Sequence, residues 1–445
     1  MGLNVGQQAA VDETLHEIFE GEYSPNQGHT IIGEGGTGKT FCVTEIARVV
    51  IEAGHSVLFA APTHKALKQI QRSCRENGLI SNNIGFATIY SALGLGMMPA
   101  DEDKFITPFK ESIIGNYDVL VVDEISMMPK LLVERYLLPE LEQTGTYPLF
   151  MGDDMQLPPV KEAKAVAFDL FKTSELTENQ RQLTNEDGTP NGILQLARAI
   201  RPCIKEKRVF RFDFTVENNV TCVKDKDFLS TILDHFTLDT DLEQTRVLAW
   251  RNFRVDDLNR AIRKKVYGPD AARFEIGERV ITGGSIKDAN DEVVLTSAEE
   301  CIVMAERESQ LVYRATNEPW KTRLLTLRPC YAGQKQVFAH VLHEDEKERY
   351  NNVMGKLKKK ALDAVGNERG LYWRRFHEFR DAFADIRYCF CMTTHLAQGS
   401  TYDTVFVDVK DILENPQPME RRKLIYVGFS RPRKELVINK TSFIA

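Results

Sequence analysis

His29-Thr30-Ile31-Ile32-Gly33-Glu34-Gly35-Gly36-Thr37-Gly38-Lys39-Thr40 runs from a short apolar segment through a glycine-rich turn into a stretch with helical patterning. It satisfies G-x-x-x-x-G-K-[ST] in the strand-to-helix context that gives the motif meaning. Gly33, Gly35, Gly36, Thr37 and Gly38 let consecutive backbone N–H groups converge on phosphate oxygens at a helix N-terminus. Lys39 is placed to reach the β- and γ-phosphates, and the Thr40 hydroxyl to ligate Mg²⁺. By composition alone the pattern arises in roughly one chain in a hundred of this length, and its context lowers that further. A nucleoside triphosphate site with ATP and Mg²⁺ as cofactors is the expectation.

Such a loop needs a carboxylate on a neighbouring strand, and Val119-Leu120-Val121-Val122-Asp123-Glu124 supplies two. Asp123 is the expected Mg²⁺ partner. Glu124 is the expected base that orients and deprotonates the attacking water. Paired carboxylates on a loop are usually a solvated turn. Four apolar residues before them, in a chain with a phosphate loop, favour the catalytic reading.

Outward from these motifs, apolar runs alternate with helical patterns. His29–Ile32, Ser56–Ala60, Asp118–Val122 and Pro148–Met151 read as buried strands of one parallel sheet. Arg246–Trp250, Tyr388–Met392, Thr404–Val409 and Glu435–Ile438 read as a second set. The gap inside the second set is too long for a crossover, so it holds an insertion. There, Arg279–Ile281, Glu292–Leu295, Cys301–Ala305, Leu311–Ala315, Arg323–Leu327 and Gln336–Leu342 are short and alternating, predicting a small antiparallel barrel or sandwich. Two charged helices, 344–365 and 367–385, follow. In the second, Phe376, Phe379 and Phe383 fall at core spacing, whereas Arg374, Arg375 and the 356–360 lysine run are candidates to face nucleic acid.

The chain has 445 residues, 42% hydrophobic and 27% charged, which requires more than one domain. Its net charge of -7 excludes a tail-driven nucleic-acid binder and leaves room only for a local basic channel. Eight cysteines without a C-x-x-C pair give no zinc or disulfide signal. No apolar run reaches the roughly 18 residues that span a bilayer, so no membrane partner is expected and the location expected is intracellular.

Further stretches fix what the nucleotide site serves. Ala61-Pro62-Thr63-His64-Lys65-Ala66, Gly152-Asp153-Asp154-Met155-Gln156-Leu157-Pro158-Pro159 and Leu176-Thr177-Glu178-Asn179-Gln180-Arg181 lie in the first part of the chain. Thr393-Thr394-His395-Leu396-Ala397-Gln398-Gly399-Ser400 and Tyr426-Val427-Gly428-Phe429-Ser430-Arg431 lie near its end. In order and spacing they resemble the motifs of superfamily one helicases, most of all the RecD-like branch.

That resemblance implies an α/β fold of two RecA-like P-loop domains, with a hairpin insert in the first and a small β-barrel plus helical insert in the second. The expected division is 1–180 for the first domain, with 92–112 as a wedge hairpin; 181–265 and 386–445 for the second; and 266–385 for an inserted SH3-like β domain with two helices. It also implies that Gln7 reads adenine, that Gly399 adjoins the nucleotide, that Gln156 senses the γ-phosphate, and that Arg181 and Arg431 approach the phosphates from the second domain. An arginine from another domain makes hydrolysis depend on closure.

Single-stranded DNA is implied to cross the tops of both domains, touching Pro62, Thr63, His64, Thr88, Tyr90, Thr393 and His395. Tyr90 and Leu396 replace the family's usual histidine and basic residue. Gly94 to Phe105 has the composition of a hairpin, and Met97, Met98 and Phe105 are its candidate wedge residues, with the region of Trp373 as a brace. The implied activity is ATP-dependent 5′ to 3′ translocation and unwinding by a monomer. Single-stranded and forked DNA are its implied partners, together with replication or recombination proteins. The implied location is the cytoplasm, that of the host cell for a phage-encoded chain. The alternatives are an RNA or RNA–DNA hybrid remodeller, a P-loop kinase or nucleotide switch without a motor, and a replication scaffold without catalysis.

Overall fold

The computed structural model describes all residues except 1, 22–26, 100–103, 109, 160–161, 179–190, 211–217, 289–292, 314–315, 331–334, 366 and 441–445; for 96–99, 104–108, 367 and 440 only the backbone is described. Arg181 therefore lies outside the described residues, as do the side chains of Met97, Met98 and Phe105.

Two parallel sheets form the body. The first has the order Ile84–Thr88, Val57–Ala61, Val119–Val122, Tyr147–Gly152, His29–Gly33, Lys172–Leu176, with every pairing parallel. All positions of Val57–Ala61, Val119–Val122 and Tyr147–Gly152 are buried, as strands covered on both faces must be. Two apolar layers do the covering, one led by Cys42, Val43, Ile46 and Val50 and the other by Ile89, Ile125, Leu132 and Leu137.

The second sheet is also parallel, in the order Cys391–Thr393, Thr245–Ala249, Tyr402–Val407, Pro432–Lys440, Val220–Lys224. Its core takes in Met155 and Leu157 from the first domain. Gln156 is thus held between two side chains sunk into the other domain.

Two expectations change. The run Tyr388–Met392 is not one strand: Ile386–Tyr388 joins the inserted sheet, whereas Cys391–Thr393 joins the second parallel sheet. The buried Arg246 guanidinium fills the break, donating to the Cys389 carbonyl at 2.7 Å. Cys301–Ala305 and Leu311–Ala315 are not two strands either, because Glu300–Tyr313 is continuous and pairs along its length with Glu318–Pro329. The insert holds a five-stranded antiparallel sheet, running from Val337–Leu342 to Ile386–Tyr388, and the strand pair Ile286–Lys287 and Val293–Leu295 shares its core. Strands Ile84–Thr88, Lys172–Leu176 and Val220–Lys224 carry no alternation or long apolar run and escape a reading by pattern.

The outer half of the ribbon has its own core. Trp320 packs edge-on against Phe379 and Phe383, with Tyr350, Val353 and Leu357 around them and the Arg349 guanidinium 3.9 Å above the indole. Helices Lys347–Asp363 and Asn367–Asp381 are held to the ribbon in this way. The second of them carries the buried Trp373 and lies against Leu95–Pro99, one arm of an antiparallel hairpin completed by Lys104–Pro108. Among the described residues no helix is long and apolar enough to cross a membrane.

Trp320→Ala is expected to cost about 3–5 kcal/mol, the range for emptying a buried aromatic site, and to expose the 347–381 helices to limited proteolysis. Unchanged proteolysis would show that the helices are held by something other than this core.

Candidate functional site

The phosphate loop follows strand His29–Gly33 and ends at helix Lys39–Glu52. Gly36 and Gly38 sit at φ 95° and 84°, where a side chain is disfavoured. At Gly33 a Cβ would come within 2.7 Å of the Leu176 carbonyl and Thr37 Oγ1. Lys39 Nζ donates to the carbonyls of Gly33 and Glu34 at 2.6 and 3.1 Å, which holds its charge over the loop.

Gln7 is tied to the phosphate loop from outside it. Its amide donates to the Thr37 carbonyl at 2.9 Å and accepts from Asn4 N at 2.9 Å, closing a capping box on helix Val5–Glu20. Both ends are engaged within the chain. The amide keeps a second N–H and a second oxygen lone pair, so these bonds orient it and leave it able to bond further.

Asp123 and Glu124 stand at the end of strand Val119–Val122, two strands from the phosphate loop. The Asp123 carboxylate accepts from Glu124 N at 2.7 Å, which bends the chain so that Glu124 takes φ 52°. A non-glycine residue in the left-handed region costs of order 1–3 kcal/mol and marks a backbone held for a purpose. Burial raises the pKa of both carboxyls. Glu124 is pushed up to about 7 by burial and by the neighbouring Asp123, against the opposing charges of Arg431 and Lys39. Its Oε2 and the Oε1 of Gln156 are buried acceptors with no donor among the described residues.

The second domain meets this constellation directly. Gly399, at φ 73°, would place a Cβ 3.6 Å from Glu124 Oε1. Arg431 is 7% exposed; its guanidinium donates to the carbonyls of Ser400 and Val427 at 3.0 Å each, fixing the Gly399 loop. Gln398 donates to Ser126 Oγ and to the Leu157 carbonyl across the same boundary. Lys423 donates to the Gln156 carbonyl at 2.8 Å.

Sequence reading missed one group. Asp153, 1% exposed, accepts from Arg201 Nη1 at 2.9 Å and from the Tyr426 hydroxyl, while Arg201 also donates to Tyr426 at 2.7 Å. The same carboxylate accepts from Met155 N at 3.1 Å and so shapes the loop that carries Gln156. Asp153 and Tyr426 lay inside quoted motifs, but Arg201 sits in an ordinary amphipathic helix, Gly192–Lys205, with nothing local to mark it.

At the C-terminal ends of the strands three threonines share one geometry. Thr63, Thr88 and Thr393 each accept, at 3.2 Å, the N–H three residues on, from Ala66, Ser91 and Leu396 respectively. Each hydroxyl proton is left to donate elsewhere. Pro62 and His64 flank the first of them half-buried, and burial lowers the His64 pKa. His395 lies 3.4 Å from Glu420, its pKa also lowered by burial. Tyr90 packs its ring against the first domain's core instead of standing out from it.

Residues 2–201 match the family model for an AAA domain, and residues 388–438 match that for a UvrD-like helicase C-terminal domain. Over 98% of each chain the protein is 23% identical to the ATP-dependent DNA helicase dda of Enterobacteria phage T4. It is likewise 23% identical, over 96% of each chain, to an uncharacterized protein of Acanthamoeba polyphaga mimivirus. The chain belongs with the Dda- and Pif1-like superfamily one helicases. Its fold agrees: the structure of the Pif1 helicase from Bacteroides in complex with ADP-AlF3 and ssDNA superposes with a TM-score of 0.53 at 16% identity, covering 100% of this chain and 93% of that one. The phosphate-loop lysine, Asp123, Glu124, Gly399 and Arg431 meet at one cleft between two sheets.

The expectation that Glu124 is the base implies a definite pH profile. Protonated Glu124 accepts no proton, so kcat/KM for ATP is expected to rise with pH, with a midpoint of about 7 in the free enzyme, and to level off above it. Glu124→Gln is expected to bind ATP, to turn it over at least about tenfold more slowly, and to lose that rise. A midpoint near the ordinary carboxylate value, or a Glu124→Gln variant with near-normal turnover, contradicts the assignment.

Proposed function

We propose that the chain is an ATP-dependent DNA helicase that moves 5′ to 3′ along single-stranded DNA and separates duplex at a fork. The observation that carries this reading is the split site: Glu124 on one sheet faces Gly399 and feels the charge of Arg431 on the other. Hydrolysis in such a cleft is tied to the relative position of the two sheets. The threonine hydroxyls lie at the loop ends of both, ready to donate to a strand's phosphates in turn. The full-length similarity to the phage helicase supports the choice of DNA, and the direction is the one the RecD-like resemblance implies.

The residues fit a nucleotide with Mg²⁺. Gly36 and Gly38 hold the turn in a conformation open to glycine, Lys39 Nζ is held against its carbonyls, and Glu124 Oε2 and Gln156 Oε1 are buried with no donor among the described residues. Thr40 and Asp123 would hold the ion, which supplies charge neutralisation of the phosphates when bound. Lys39 orients the terminal phosphates, Glu124 Oε2 takes a proton from the attacking water, and Gln156 orients that water. Arg431, with Arg181, offsets charge that spreads over the transferring group. Gln156 reports the event because its carbonyl is bound by Lys423 and its neighbours Met155 and Leu157 are packed in the second domain.

The strand pair Leu95–Pro99 and Lys104–Pro108 stands outside both parallel sheets, and the helix bearing Trp373 backs its first strand. This arrangement supports reading the hairpin as a wedge on the first domain with a brace from the insert.

The deciding experiment measures ATP turnover with and without single-stranded DNA and RNA, beside strand separation on 5′- and 3′-tailed duplexes. Stimulation by DNA and unwinding from the 5′ tail alone are expected; stimulation by RNA alone would move the protein to the remodeller class, and no turnover would end the motor reading. Replacing 97–105 by a Gly-Ser linker is expected to leave stimulated turnover within about threefold of wild type while nearly abolishing unwinding, because stacking lost at the fork touches only strand separation. Proportional loss of both would assign the hairpin to the motor's structure.

A further inference from the structure

The first variable position of the phosphate loop is an acid, Glu34, and its two ends point to different domains. Its carbonyl is the hub of the loop, accepting from Lys39 Nζ at 3.1 Å, Thr37 Oγ1 at 2.9 Å and Thr37 N at 3.3 Å. Its carboxylate accepts from Nε and Nη2 of Arg198, both at 3.2 Å. Arg198 belongs to helix Gly192–Lys205, which packs against helix Pro418–Phe429 and strand Pro432–Lys440 of the second domain. Arg198 and Arg201 are one turn apart on that helix. One reaches the phosphate loop and the other reaches Asp153 beside Gln156.

A carboxylate in a phosphate loop repels the ligand the loop exists to bind. Glu34 is 8% exposed, so water screens this charge less than it would a surface charge. Side-chain length puts the carboxylate within about one Debye length, ~10 Å at 0.1 M salt, of the Lys39 ammonium. Arg198 brings a positive charge to it from the other domain.

We propose that Arg198 is a positioning residue for nucleotide affinity: by neutralising Glu34 from the second domain, it makes the phosphate loop's hold on phosphate depend on closure of the cleft. The inference rests on the ATPase reading above. Closure brings the guanidinium to Glu34 and retains the phosphates. Opening withdraws it, lowers the loop's affinity for phosphate and favours product release. The acid is then the element that makes release follow opening, since a loop with a neutral residue at position 34 keeps its affinity in both states.

The test is a double-mutant cycle read in nucleotide binding. ADP Kd, ATP KM and kcat are measured for wild type, Arg198→Ala, Arg198→Lys, Glu34→Ala and Glu34→Ala/Arg198→Ala, with melting temperatures as a folding control. Arg198→Ala is expected to raise ADP Kd and ATP KM roughly tenfold at low salt, and less at high salt, with kcat at saturating ATP changed by less than about threefold. Arg198→Lys is expected to recover most of the loss. In the Glu34→Ala background, removing Arg198 is expected to change Kd by less than about twofold. An equal loss in that background would mean that Arg198 acts independently of Glu34, and a fall in kcat at unchanged Kd would make it part of the hydrolytic machinery; either overturns the proposal. Failure of the wild type to hydrolyse ATP would overturn the functional reading, whereas ADP binding indifferent to Arg198 overturns this inference alone.

Discussion

The structure depends on a buried polar seam between two parallel sheets. Neither sheet alone holds a complete site: the phosphate loop, Asp123, Glu124 and Gln156 lie on one, and Gly399 and Arg431 on the other. Asp153, buried at this seam, accepts hydrogen bonds from Arg201 and Tyr426 of the second domain and from Met155 of its own loop. Burying a carboxylate is costly unless it is paired and hydrogen-bonded. Parting the domains breaks the pairing, so the seam favours a defined closed arrangement over a range of loose ones.

Within that arrangement the conformation of Glu124 makes sense. Its left-handed backbone is locked by Asp123 accepting from its N–H, and this turns the side chain toward Gly399. Glycine is required at 399 by its backbone, at φ 73°, and not by crowding, since a Cβ there would meet Glu124 Oε1 at an ordinary contact distance of 3.6 Å. Burial and Asp123 then raise the carboxyl into the range where a base works near neutral pH, while Arg431 limits the rise. Strain, close approach and pKa are three results of one geometry.

Much of this was legible in the sequence because local chemistry dictates it. A loop that binds phosphate needs its glycines, lysine and threonine in fixed order, and a buried parallel strand needs an unbroken apolar run such as Val119–Val122. Gly399 and Arg431 were reachable only through the resemblance of whole motifs, since nothing near them in the chain says what they face. Contacts made by tertiary placement were not legible. Arg201 and Arg198 sit on a helix whose polar positions look like any solvated face. The split of Tyr388–Met392 depends on Arg246, distant in sequence, and the fusion of two expected strands into Glu300–Tyr313 depends on a partner strand of matching length. The role of Gln7 as a brace of the phosphate loop was hidden for the same reason: its partner, Thr37, lies thirty residues away.

The central claim is that Asp153 and Arg201 act as one unit joining the two halves of the site. A double-mutant cycle with Asp153→Asn and Arg201→Gln, read in DNA-stimulated ATP turnover, tests it most directly. If the pair is the joint, each single change removes most of the activity and the double variant is little worse than either, giving a coupling of roughly 1–3 kcal/mol in the range for partners within one network. Losses that multiply would show that the two residues act separately and that the domains are held together by other contacts.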